Sequence, residues 1–190
     1  EDITDGELLV DGERMNETPS IDRDMAMIFK NGKLYPQMNI YDNLAFGLKL
    51  KELPIGEIDA RIAEVTQVLN IGHLLDKMTE DLDEKERALV VLGRAIVKKP
   101  KVFLLDEPFS SLSKELKKEM QELLWSLYEK MQITVVYVTH NSEDIRHTDT
   151  RVAVMNDGSV QQIGTIGELY DKPATPYVSE FLGVPAEEVC

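Results

Sequence analysis

The chain has 190 residues, 43% of them hydrophobic, enough to bury the core of one well-formed domain. Its formal net charge of -14 repels phosphate backbones over the surface as a whole, so nucleic acid is excluded as a partner. Apolar runs such as 88–92 and 133–138 are too short to span a bilayer, the first residues lack signal-peptide character, and the single cysteine, Cys190, allows no internal disulfide; together these predict a cytoplasmic chain.

Taken in order, Gly6–Val10 followed by Asp11-Gly12 reads as a strand and turn. Met25–Phe29 reads as a second strand, ending in the polar turn Lys30-Asn31-Gly32-Lys33. From there the pattern becomes helical. Residues 39–50 fit one amphipathic helix, and Ile58, Ile62, Val65 and Leu69, at offsets of four, three and four, fit another. Residues 74–99 continue in that style, with Leu89, Leu92, Gly93 and Ile96 on one face and Lys98-Lys99-Pro100 as a stop. A buried strand over 102–105 follows. Leu116, Met120, Leu123, Leu124 and Leu127 mark one side of a long helix, and 133–138 reads as a second buried strand. The tail predicts a hairpin, 152–155 and 160–163 about Asn156-Asp157-Gly158, then two short helices near 168–170 and 177–182. The pattern is that of an α/β core, residues 1–35 and 100–190, with a helical insertion over 36–99.

The chemistry-bearing segment is Val102-Phe103-Leu104-Leu105-Asp106-Glu107-Pro108, an apolar strand that delivers two adjacent carboxylates to its C-terminal tip. About thirty residues later, the span of one βαβ unit, the apolar run 135–138 leads through Thr139 to His140. Two carboxylates at a strand tip are a common way to hold Mg²⁺ and a water beside a nucleotide phosphate. His73 and His147 have no such context and read as surface or packing residues.

Four segments, 24–50, 93–113, 135–140 and 151–173, resemble the ATPase subunit of an ATP-binding-cassette (ABC) importer of the sugar-uptake branch, and the similarity runs to about Gly183. The resemblance implies a P-loop NTPase-like α/β core that binds ATP and Mg²⁺, with a helical sub-domain carrying a signature loop. It also implies two partners, a second ATPase subunit that closes head to tail on two ATP molecules and a transmembrane permease. That arrangement places the chain at the inner face of the membrane, with the permease contact near Tyr35-Pro36 and behind Lys30. By position, Asp106 matches the residue that holds Mg²⁺ through water. Glu107 matches the residue that orients or deprotonates the attacking water, and His140 the one that reaches the γ-phosphate.

Several positions depart from the family pattern. No copy of the phosphate loop GxxxxGK[ST] stands in these residues: Gly32-Lys33 is followed by Leu34, and the position five before Gly32 is Met27. Lys30 stands where the family has a metal-contacting Gln, and a protonated lysine ligates no Mg²⁺; it reads as a solvated loop charge. Where the family has Leu-Ser-Gly-Gly-Gln, this chain has Leu82-Asp83-Glu84-Lys85-Glu86. Three carboxylates there favour a helix N-terminus but repel a triphosphate. Ser113 replaces the dimer-contacting Asp, and Asn141 stands where an acidic residue often follows the His.

The expectation is therefore a core without the phosphate-loop strand and helix, which binds and hydrolyses ATP poorly by itself. Without that strand the sheet must close by pairing 133–138 with 151–156, by borrowing an edge from another chain in a homodimer or strand-swapped oligomer, or through further residues of a longer gene product. Three functions follow: the portion of an importer ATPase after its phosphate loop, a pseudo-ATPase that binds partners or regulates them, or a plain structural or interaction domain.

Overall fold

Strand β4 (Val102–Asp106) is the centre of a three-stranded parallel sheet, between β3 (Met25–Ile28) and β5 (Thr134–Val138). The register pairs Ile28 with Leu105 and Leu105 with Tyr137, so all three strands end at the same edge. The alternation that buries Phe103 and Leu105 leaves the end of β4 to Asp106, which carries the chain out of the core at that edge.

This computed structural model describes residues 3–30, 32–131, 133–145 and 150–184, which fall into a unit of residues 1–138 and another of 139–190. Asn31, His147 and Cys190 lie outside the described residues. In the first unit a short hairpin, β1 (Leu9–Val10) and β2 (Glu13–Arg14), turns through Asp11-Gly12, both at positive φ as a tight hairpin turn requires. Between β3 and β4 come three helices, α1 (Ile40–Leu50), α2 (Ile55–Leu69) and α3 (Glu84–Ile96). Their apolar faces meet: Ile40, Leu44, Leu48, Ile58 and Leu92, with Leu74 of the short turn after α2, are buried in one core with Phe103 and Leu105. Gly93 permits the close approach, because a Cβ there would lie 3.2 Å from Leu69 and 3.4 Å from Leu44.

Helix α4 (Lys114–Met131) buries Met120, Leu124 and Leu127, and Trp125 packs on Tyr137 of β5 with ring centroids 5.9 Å apart. The second unit is a hairpin, β6 (Arg151–Asn156) and β7 (Ser159–Thr165), turning through Asp157-Gly158. Two short helices, α5 (Ile166–Asp171) and α6 (Pro176–Leu182), follow it, and Val154, Leu169, Val178 and Leu182 form this unit's own core.

Three expectations need correction. The helical pattern does not run from residue 74. Residues 75–83 are irregular, with one short 3-10 turn over Thr79–Asp81, because the first amides of α1 donate to this segment, Ile40 N–H to Lys77 C=O and Tyr41 N–H to Leu75 C=O. Among the described residues the strands over 133–138 and 151–156 belong to separate sheets: β5 pairs with β4, and β6 pairs with β7. Nor is β5 a buried strand. Val136 is 46% exposed and Val138 50%, since among the described residues β5 has a neighbour on one edge only.

Candidate functional site

Parallel register brings the ends of β3 and β4 together. Ile28 pairs with Leu105, so Lys30 and Glu107, each two residues further on, leave the sheet side by side. The Lys30 ammonium donates to Glu107 Oε2 at 2.7 Å. Lys30, expected to be a solvated loop charge, is half-exposed but engaged, while Glu107 keeps only 20% of its side chain exposed. Sequence reading missed the pair because 77 residues separate its members and only the register joins them.

The backbone holds Glu107 in place. Its N–H donates to Val138 C=O at 3.0 Å, and its own carbonyl accepts from the N–H and Oγ of Ser110 at 3.2 and 3.1 Å. Its φ of 46° lies in the left-handed region, which disfavours L side chains by about 1–2 kcal/mol. These bonds hold it there and turn the side chain towards Lys30.

Lys30 sets a positive charge against Glu107, so that carboxylate does not suit Mg²⁺ as it stands, and Asp106 is the member of the adjacent pair that would hold the ion through water. His140 is exposed and belongs to the second unit, where its loop is fixed by Thr139 Oγ1 donating to Asp144 Oδ2 at 2.7 Å and Asn141 N–H donating to Thr139 Oγ1 at 3.0 Å.

At the start of α3 the altered residues act on the helix itself. Asp83 Oδ1 accepts from Glu86 N–H at 2.7 Å and Glu86 Oε2 accepts from Asp83 N–H at 3.0 Å, a reciprocal capping box. Lys77 Nζ lies 3.0 Å from Glu86 Oε1. The Asp83 N–H, then Lys77, hold the Glu86 carboxyl below the usual carboxylate range. Lys85 pairs with Glu119 of α4, and Glu84 completes an acidic first turn. Ser113 Oγ accepts from Leu116 N–H at 3.3 Å at the start of α4.

A second feature lies in the groove behind Lys30, a cavity of about 450 Å³ lined by Met27, Phe29, Tyr35, Phe46, Leu50, Arg94 and Lys98 among others. The Tyr35 and Phe46 rings meet at a tilt of 52° with centroids 4.7 Å apart, and the Arg94 guanidinium sits 5.3 Å from the centre of the Tyr35 ring. Burial lowers the pKa of both Arg94 and Lys98, and for Lys98 the charges of Arg94 and Lys51 add to it. Neither is paired with a carboxylate among the described residues. The loop that forms the wall hangs on Asn43, fully buried in α1. Its Oδ1 accepts from Tyr35 N–H, and its Nδ2 donates to the carbonyls of Tyr35, Met38 and Asn39, all within 3.1 Å.

Comparison with known proteins places this geometry. A family model described as ABC transporter matches residues 1–110. The uncharacterised ABC transporter ATP-binding protein YurJ of Bacillus subtilis (strain 168) is 42% identical over 185 residues, covering 97% of this chain and 50% of YurJ. The oligosaccharides import ATP-binding protein MsmX of the same strain is 42% identical over 186 residues, covering 98% of this chain and 51% of MsmX. The chain thus spans about half the length of the curated relatives it matches. A solved structure of CbiO1 from Clostridium perfringens, part of the ABC transporter complex CbiONQ, is 25% identical, with a TM-score of 0.78 over 90% of this chain and 70% of that one. The fold is therefore the α/β fold of an ABC ATPase, and the chain belongs to the ABC transporter family of ATP-binding subunits.

Proposed function

We propose that residues 1–190 form one ABC ATPase-like domain of a carbohydrate importer, an α/β core of 1–35 and 100–190 with a helical sub-domain of 36–99. In this reading these residues by themselves bind and hydrolyse MgATP poorly, and their contribution is to dock. The contact between Lys30 and Glu107 carries the reading. A general base must offer its oxygen to a water, and here an ammonium 2.7 Å away occupies one oxygen and opposes an arriving cation. The capping box supports the same reading, since the amide donor of Glu86 is spent on Asp83 rather than open to a phosphate. Glu107, His140 and the Mg²⁺ position Asp106 are then vestigial. The positions Lys30, Asp83, Glu84, Lys85, Glu86 and Ser113 serve the fold.

The partner in this reading is a transmembrane permease, which holds the chain at the cytoplasmic face of the membrane. Its docking place is the groove of Tyr35, Phe46, Arg94 and Lys98, where the exposed Tyr35 and the half-buried Phe46 stand beside two partly buried cations. That combination suits an amphipathic segment bearing a carboxylate. Carbohydrate as the cargo rests on the likeness to MsmX.

The test is an isothermal titration of MgATP into the purified chain with hydrolysis followed in the same sample. Weak or no binding is expected. Affinity tighter than about 0.1 mM, roughly 5 to 6 kcal/mol, overturns the reading in favour of an active ATPase. A second reading, a regulatory pseudo-ATPase that pairs with a second ATPase-like subunit or with its own copy through the β5 edge, is favoured by the exposed Val136 and Val138. It predicts a dimeric mass in light scattering, and a monomeric mass at high concentration rejects self-pairing through that edge.

A further inference from the structure

A second cavity, of about 540 Å³, adjoins the groove and shares Ile28, Gly32, Lys33 and Val91 with it. The volume falls within the range of small-molecule sites. Its floor is apolar: Ile28 and Phe109 are 4% and 3% exposed, and Ala88 and Val91 line the wall formed by α3. Gly32 shapes the side, because a Cβ there would lie 2.7 Å from Val91 Cγ1.

Lys33 and Arg87 stand among the lining residues, and neither is paired with a carboxylate among the described residues. Arg87 is held by one bond, Nη2 donating to Thr79 C=O at 2.8 Å, which leaves the rest of its guanidinium fork for a ligand. Glu84 is the one carboxylate of the lining, and Thr79 and Ser111 add hydroxyls. Unpaired cations thus line this cavity as they do the groove of Arg94 and Lys98, on a chain whose net charge is -14. The nearby lysines Lys30, Lys77 and Lys85 each have a carboxylate partner.

From this juxtaposition we infer that the cavity is a binding site for a small molecule with a rigid apolar body and a single carboxylate, the body seated on Ile28, Val91 and Phe109 and the carboxylate held between Lys33 and Arg87. The carboxylate gains charge-assisted bonds from two donors that otherwise face solvent. The apolar body covers the half-buried wall of Ala88, Val91 and Leu112, since Ile28 and Phe109 are already out of water. The site needs no nucleotide and stands whether or not the chain binds ATP.

The probe is naphthalene-2-carboxylate, with naphthalene-2-carboxamide as its neutral match in shape. Each is titrated into the purified 190-residue chain and followed by amide chemical shifts. The carboxylate is expected to bind about ten-fold more tightly than the amide, with shifts centred on Gly32, Lys33, Arg87 and Val91. Lys33→Gln, a change at an exposed side chain, should remove most of that preference while leaving the weak amide binding in place. Ala88→Leu fills the cavity and should abolish binding of both. Equal affinity for the two probes, shifts centred elsewhere, or a charge preference that survives Lys33→Gln overturns the inference. Should Ala88→Leu fail to fold, the Lys33→Gln comparison decides alone.

Discussion

The tip of β4 and the first turn of α3 both present adjacent carboxylates, and they differ in what answers them. At the strand tip, Asp106 and Glu107 leave a buried strand, and the reply comes from 77 residues away in sequence, from Lys30. At the helix the answer is local: Asp83 and Glu86 cap each other across three residues, with Lys77 beside them. Charge at a strand tip is thus held by the sheet's register, and a substitution there changes chemistry more than fold. At the helix start charge is part of the fold, because unsatisfied amides require an acceptor whatever the domain does.

The largest expected effect tests whether α3 is held by its buried face or by its polar end. Leu92 is fully buried between the helices, and Leu92→Ala should cost about 2–5 kcal/mol in urea unfolding. A smaller loss than that of the capping variant below would reverse the ranking. Next comes Asn43→Ala, which leaves the Tyr35 amide and several carbonyls without their buried partner. A loss of about 1–3 kcal/mol is expected, with faster hydrogen exchange at Tyr35; unchanged exchange there would mean that the loop is held by something else.

Asp83→Ala should cost about 1 kcal/mol, the usual worth of an N-cap. No loss would mean that the acidic run is idle in the fold. Lys30→Ala should change stability by less than about 1 kcal/mol, since its side chain is half-exposed. It should still shift the Glu107 and Ser110 amides in NMR spectra; a large loss of stability would make the strand tip as structural as the helix start. The smallest effect concerns pH. Glu86 is held below the ordinary value of 4.5 by the Asp83 N–H and Lys77, so its stabilisation is complete above that value and fades as pH falls through the folded-state value. The gap in urea midpoint between the native chain and Glu86→Gln should therefore narrow on acidification, and a constant gap would show that the charge of Glu86 plays no part.

Taken alone, the sequence determined the elements whose signals are local. The apolar run 102–105 and the helical spacing of Ile58, Ile62, Val65 and Leu69 appear where expected. The Asp-Gly turns at 11–12 and 157–158 lie within their hairpins, and the acidic start of α3 caps that helix. Each depends on residues within a few positions of one another, and local propensity decides them. The tertiary structure alone decided the irregular path of 75–83, whose carbonyls serve the start of α1, and the role of Asn43, whose partners lie on a loop. It also decided the engagement of Lys30 with Glu107 and the gathering of Lys33 and Arg87 at one cavity. The Lys30–Glu107 contact and the shared cavity arise where strand register and helix packing bring together residues far apart in the chain, and no local pattern records that approach.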